Sequence, residues 1–131
     1  MKIVIIDILL FGSLYIYFVG VWLRDKYGKQ NMETFMSVYM IGDVDIHNIE
    51  EYKKYMDKVK PMIESYGGEY LIRGGEIDSL ETNLWKPTRM VLVKFPDKKS
   101  AMKWYDSEEY RPYKKIRLEN STSNILMVEG I

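Results

Sequence analysis

Cysteine is absent from this chain. Its absence excludes a disulfide framework, a thiol nucleophile and a thiolate metal site, and it leaves the redox compartment open. Histidine is nearly absent as well: His47 is the only one. With no second histidine and no thiol, a histidine-rich metal site is excluded and a Ser-His-Asp triad finds no support, so no metal is expected. Charge of one sign is missing too, because nineteen basic and nineteen acidic residues cancel. The charges are interspersed after Asn48, and the runs Lys53-Lys54, Lys98-Lys99 and Lys114-Lys115 stand among acids as solvated faces. No basic stripe exists for a nucleic acid, and none is expected as a partner. No GxGxxG or Walker pattern surrounds Gly67, Gly68, Gly74 or Gly75, so these glycines serve backbone geometry, and no cofactor is expected.

What the chain does have is room for one domain of 131 residues, large enough to be stable without staples. It divides into residues 1–35, a hydrophobic segment with a linker, and residues 36–131, a mixed α/β domain. From Ile3 to Leu23 the chain is apolar except for Asp7, with Arg24, Asp25, Lys26 and Lys29 directly after. Roughly 20 apolar residues suffice to cross a bilayer as a helix, and Asp7 lies near one end, where a carboxylate can reach the interface. Residues 3–23 are therefore expected to form a hydrophobic helix that can anchor a cytoplasmic domain to a membrane. Two plainer readings compete: a helix packed on a partner subunit, or a start site at Met32 or Met36. No small-x-small site stands between Val19 and Lys29, which argues against a cleavable signal. Arg24 to Thr34 is polar and reads as the linker.

The domain alternates helical and extended patterns. Ser37 to Asp45 places Val38, Met40, Gly42 and Val44 on one face and Tyr39 and Ile41 on the other, a strand pattern. Asn48 is an N-cap with Glu51 in the capping-box position. Ile49, Tyr52, Met56, Val59, Ile63 and Tyr66 then draw one stripe down a helix, in which Pro61 predicts a kink. Tyr66-Gly67-Gly68 ends that helix. Glu69 to Arg73 is a second strand, Gly74-Gly75 marks a bulge or bend, and Glu76 to Glu81 continues extended. After a loop at Asn83–Thr88, Arg89 to Phe95 is the third strand, and its run Met90-Val-Leu-Val93 suggests cover on both faces. Asp97 caps a second helix through Tyr105, and Ser107 caps a short one from Glu108 to about Leu118, with Pro112 in its first turns. Asn124 to Glu129 is the last strand. The order β-α-β-β-α-β predicts a ferredoxin-like α+β fold, with helices on one face of a four-stranded antiparallel sheet. The other face is left bare, and a second copy of the chain is the economical cover, giving a homodimeric α/β barrel.

Four ordered motifs carry a resemblance: Tyr66-Gly-Gly-Glu-Tyr-Leu-Ile-Arg-Gly-Gly75, Pro87-Thr-Arg89 leading into Met90–Pro96, Ala101-Met-Lys-Trp-Tyr-Asp-Ser-Glu-Glu-Tyr110 and Val128-Glu-Gly130. Together they resemble the domain of unknown function family 1330 from Met36 to Ile131. The resemblance implies a ferredoxin-like fold and a homodimeric α/β barrel, and it implies no established activity. The segment before Met36 and Pro112 depart from it.

The residue chemistry points to a cleft between sheet and helices. Arg73 and Arg89 stand at the end of one strand and the start of the next, where two guanidinium groups can clamp a carboxylate or an enolate. The plainer alternative is salt bridges to acids such as Glu76 or Glu129. Trp104 and Tyr105 are adjacent on a helix and so point about 100° apart. Trp104 suits the core, and Tyr105 the cleft. Tyr110 and Arg117 follow on the next helix, where they either close the cleft or simply pack. Any general base has to be a carboxylate or a tyrosine with a shifted pKa, for example Glu76 or Glu129. These residues lead to a homodimeric domain that binds a small anionic or aromatic compound. The alternatives are a cofactor-independent monooxygenase or isomerase, on fold analogy, and a membrane-tethered structural module.

Overall fold

The structure is a computed structural model, and it describes residues 36–131. The expectations for the leader and linker fall on residues 1–35, outside the described residues. Among the described residues no helix is long and apolar enough to cross a membrane.

The first strand, β1 (Val38–Ile46), alternates as its sequence predicts, with Val38, Met40, Gly42 and Val44 buried. It forms the middle of the sheet, pairing antiparallel with β3 (Met90–Phe95) on one side and β4 (Ser121–Glu129) on the other. The second strand, β2 (Glu69–Arg73), pairs with the outer side of β3, so the strand order is β2-β3-β1-β4. Residues opposite one another in such a ladder point to the same face. Met40, Val93 and Met127 therefore share the helix-covered face, and Ile41, Leu92 and Leu126 share the other.

Three helices cover the first face. The longest, α1 (Ile49–Ser65), starts where Asn48 Oδ1 accepts the Glu51 N–H at 3.3 Å. The Glu51 carboxylate does not close the capping box; it pairs with Lys54 Nζ at 2.8 Å. The helix runs through Pro61 to Ser65. Its buried stripe is Tyr52, Tyr55, Val59, Met62 and Ile63, rotated from the expected one: Tyr55 and Met62 go inside while Ile49 stays exposed. It stops at Gly67, whose φ of 83° suits a residue without a Cβ, and the Gly68 N–H donates to Ile63 O at 3.0 Å.

Of the bulge or bend expected at Gly74-Gly75 the bend is there, at Gly74 with a φ of 74°, while the register shift in β2 lies earlier, between Tyr70 and Ile72. Two further expectations are corrected. Residues 76–81 form no strand, because no neighbouring strand offers them a ladder. The helix after α2 (Lys98–Tyr105) is α3 (Arg111–Asn120), three residues later than expected. Ser107 acts before it: its Oγ donates to Trp104 O at 2.7 Å and accepts the Tyr110 N–H at 3.1 Å, closing a turn between the helices. The other cap holds, with Asp97 Oδ1 accepting the Ser100 N–H at 2.7 Å.

The core joins Val38, Met40, Val93 and Phe95 of the sheet to the α1 stripe, with Ala101, Trp104 and Tyr110 closing it. Gly68 sits where α1 meets the sheet, and a Cβ there runs into Ile63 and lies 2.9 Å from Phe95 Cε1. Both neighbours are buried, so neither can yield. Gly68→Ala is expected to lower unfolding free energy by about 1–3 kcal/mol, measured as a shift in urea midpoint at unchanged slope.

Candidate functional site

The covered face of the sheet does not fill completely. Between it and the helices lies a cavity of about 50 Å³, with the exposed Arg73 among its lining residues. Its floor is the middle of β1, where Gly42 puts no side chain between Val91 of β3 and Ile125 of β4. The six residues singled out from sequence, Arg73, Arg89, Trp104, Tyr105, Tyr110 and Arg117, all line this cavity. Glu76 and Glu129, named as candidate bases, do not, and no Asp, Glu or His does. His47 lies outside, its Nε2 at 2.9 Å from Thr122 Oγ1.

Three arginines thus face one space. Arg117, 3% exposed, donates from Nη1 to Ser123 Oγ at 2.7 Å and from Nε to the Tyr110 hydroxyl at 3.3 Å. Arg73 donates to Met56 O at 2.5 Å, with its guanidinium 5.0 Å from the centre of the Tyr70 ring. Arg89 Nη2 reaches Met56 Sδ at 3.8 Å. Arg73 and Arg89 therefore converge on one residue of α1. The expected alternative, salt bridges to nearby acids, is not made: ion pairs among the described residues involve His47, Lys54, Lys60, Arg111 and Lys115 only. Burial works to lower the Arg117 pKa, but the Tyr110 oxygen outweighs it, and the net direction is upward.

Tyrosines make up much of the wall. Burial raises the pKa of Tyr52, against the pull of Arg89, Arg117 and Arg73, all three near enough to act on it. Tyr70 is pushed up to about 12 by burial, with Arg73 opposing, and Tyr55 is raised well above the ordinary tyrosine value by burial and by Tyr110. These phenols stay protonated at neutral pH, so the walls supply hydrogen-bond donors and no base. The Tyr55 and Tyr110 hydroxyls lie 3.3 Å apart. Trp104 is as buried as expected, 3% exposed, stacked on Phe95 with ring centres 5.9 Å apart. Its ring also lines the cavity, and its Nε1–H, closed off within the core, has no acceptor. Tyr105 is half-buried, with Lys114 Nζ 3.7 Å above its ring.

Sequence reasoning missed Asp43. From the bare-face side of β1, opposite Met90 and Asn124, its carboxylate accepts from Thr88 N–H and Oγ1 at 2.9 Å, from Arg89 N–H at 3.2 Å and from Trp85 Nε1 at 3.1 Å. It pins the end of the long β2–β3 loop and the backbone of Arg89. The only sequence signal was an acid inside an alternating strand. Gly74 supplies a second constraint: its φ is 74°, and a Cβ there stands 2.6 Å from Arg89 Nε. Only glycine lets that guanidinium lie across the turn.

The family profile described as Domain of unknown function (DUF1330) matches residues 37–131. The chain belongs to that family. Its fold is similar to that of a protein of unknown function from Rhodopseudomonas palustris, 15% identical, covering 74% of this chain and 84% of the other with a TM-score of 0.61. It is also similar to SnoaB, a cofactor-independent oxygenase from Streptomyces nogalater, 10% identical, covering 73% of this chain and 94% of the other with a TM-score of 0.56. At such identities the likeness is one of fold. No curated protein matches the sequence.

Two titrating groups give the fold a pH profile. Desolvation works to raise the Asp43 pKa, but the bonds from Thr88, Arg89 and Trp85 outweigh it and hold it below 3.8. A carboxylate with a lowered folded pKa contributes stability that is present above its unfolded value and lost as pH falls through the folded one. Stability is therefore expected to fall below about pH 3.8 and, because Tyr55 and Tyr70 are shifted upward, again as pH rises above 10. Asp43→Ala is expected to flatten the acid limb and to cost roughly 1–2 kcal/mol at neutral pH. Urea midpoints at several pH values check both, and an unchanged acid limb contradicts the role given to Asp43.

Proposed function

We propose that this domain binds a small anionic molecule in the cavity between sheet and helices, and that it does so as a homodimer. The observation that carries the first half is the charge balance of the cavity: three guanidinium groups line it, and no carboxylate does. Burying a cation without a counter-charge costs several kcal/mol, and a ligand carrying negative charge removes that cost. Arginine suits the task because its planar fork meets two oxygens at once.

The second half rests on the bare face of the sheet. Leu126 is 57% exposed, Val128 47% and Ile72 44%, and in register they flank Tyr39, Ile41 and Leu92. Large side chains in one contiguous patch mark an interaction surface, and a sheet face is self-complementary when two copies meet about a two-fold axis. A partner sheet about 10 Å away would bury them.

A second reading is an enzyme of the cofactor-independent kind, favoured by the likeness in fold to SnoaB. The walls bear on how such a reaction would run. With no Asp, Glu or His in the cavity and with Tyr52, Tyr55 and Tyr70 shifted upward, a substrate has to lose its proton through its own acidity, helped by the arginines.

Native mass spectrometry of the full chain tests both halves. The expected spectrum shows twice the chain mass with a small anion retained. Leu126→Lys is expected to give the single-chain mass. Gly42→Val, which places methyl groups on the cavity floor beside Ile125 Cδ1, is expected to remain dimeric and lose the retained mass. A single-chain mass for the unmodified protein contradicts the dimer, and a retained anion unaffected by Gly42→Val contradicts the site.

A further inference from the structure

The reading of the cavity as an anion site leaves open the kind of anion, and three observations narrow it. The charges are gathered at one end of the floor. Arg89 O accepts the Val44 N–H at 3.0 Å. On the other side of β1, Ser123, the Arg117 acceptor, stands opposite Val44. One step along the same face, Arg73 pairs with Val91, the neighbour of Gly42. The three arginines therefore line one cavity over the middle of β1.

The second observation is a surplus of donors. Arg117 Nε can only donate, so the Tyr110 oxygen accepts from it. Between Tyr110 and Tyr55 one phenolic proton is shared. Two hydroxyls hold two protons, so the other proton has no acceptor within the pair. Beside the arginines the cavity thus presents one neutral donor in want of an oxygen.

The third is the lack of a free backbone cradle. The lining residues nearest a helix start, Tyr52 and Tyr110, have N–H groups already bonded to Asn48 O at 3.0 Å and to Ser107 Oγ at 3.1 Å, so the free N–H groups that usually hold phosphate are missing.

We infer that the ligand is a 2-oxocarboxylate, its carboxylate held by Arg73, Arg89 and Arg117 and its keto oxygen facing the Tyr55–Tyr110 pair. A keto oxygen only accepts, which matches the spare phenolic proton of the Tyr55–Tyr110 pair. A 2-hydroxy group brings one more proton into a space already rich in them, and an unsatisfied buried donor is penalised. The inference rests on the proposed anion site and specifies its ligand.

Isothermal titration of the full chain with pyruvate tests it, compared with lactate, methyl pyruvate and inorganic phosphate. Pyruvate is expected to bind, with lactate about tenfold weaker and with methyl pyruvate and phosphate about a hundredfold weaker or worse. Arg117→Gln is expected to abolish binding; Arg89→Gln, at a less buried position, gives the same readout if Arg117→Gln fails to fold. Tyr55→Phe is expected to narrow the gap between pyruvate and lactate. Absence of pyruvate binding, lactate binding equal to pyruvate, or tighter binding of phosphate overturns the assignment. If pyruvate fails while native mass spectrometry still shows another anion that Gly42→Val removes, the anion site stands and only the ligand class falls.

Discussion

A guanidinium group taken out of water and left without a carboxylate is costly, and this fold holds one, Arg117, at 3% exposure, with two more around the same cavity. Nothing else in the domain is so far from ordinary protein chemistry. Lysines paired with glutamates along α1 and α3 are exposed and worth little. The arginines are different: the protein meets Arg117 with neutral partners only, Ser123 and Tyr110. Neutral acceptors satisfy geometry without cancelling charge.

Much of the architecture can be read as the means of holding those groups in place. Asp43 reaches from the bare-face side of β1 to fix the backbone of Arg89, and Gly74 makes room for its guanidinium. The Ser107 turn sets Tyr110 at the head of α3, and two turns later the same helix face presents Arg117 to it. Gly42 leaves the floor of the cavity they line without a side chain. Each device is local and weak, and together they position a site that no single element carries.

The fold was legible because its signals were local. Asn48 and Asp97 cap helices, Gly67 ends one, and strict alternation in β1 chooses the buried face, all within a few residues of one another. What was not legible depended on distant partners. The α1 sequence contains two overlapping apolar stripes, one through Ile49 and Met56 and one through Tyr55 and Met62, and only the position of the sheet chooses between them. Residues 76–81 have strand composition but no neighbour to pair with. Asp43 finds its partners more than forty residues away, and no spacing announces that. The arginines were visible as a cluster of chemistry, but their lack of acidic partners, which gives the cavity its character, is a property of three-dimensional arrangement alone.

The central claim, that unpaired guanidinium groups in the cavity await a carboxylate, is tested most directly by arginine side-chain NMR. The Nε–H resonances of Arg73, Arg89 and Arg117 are expected to move together and saturate on adding a small carboxylate. That of Arg111, exposed and already paired with Glu108, is expected to stay in place. Equal small movements of all four, or none, would show that the cavity arginines take no anion and would contradict the account.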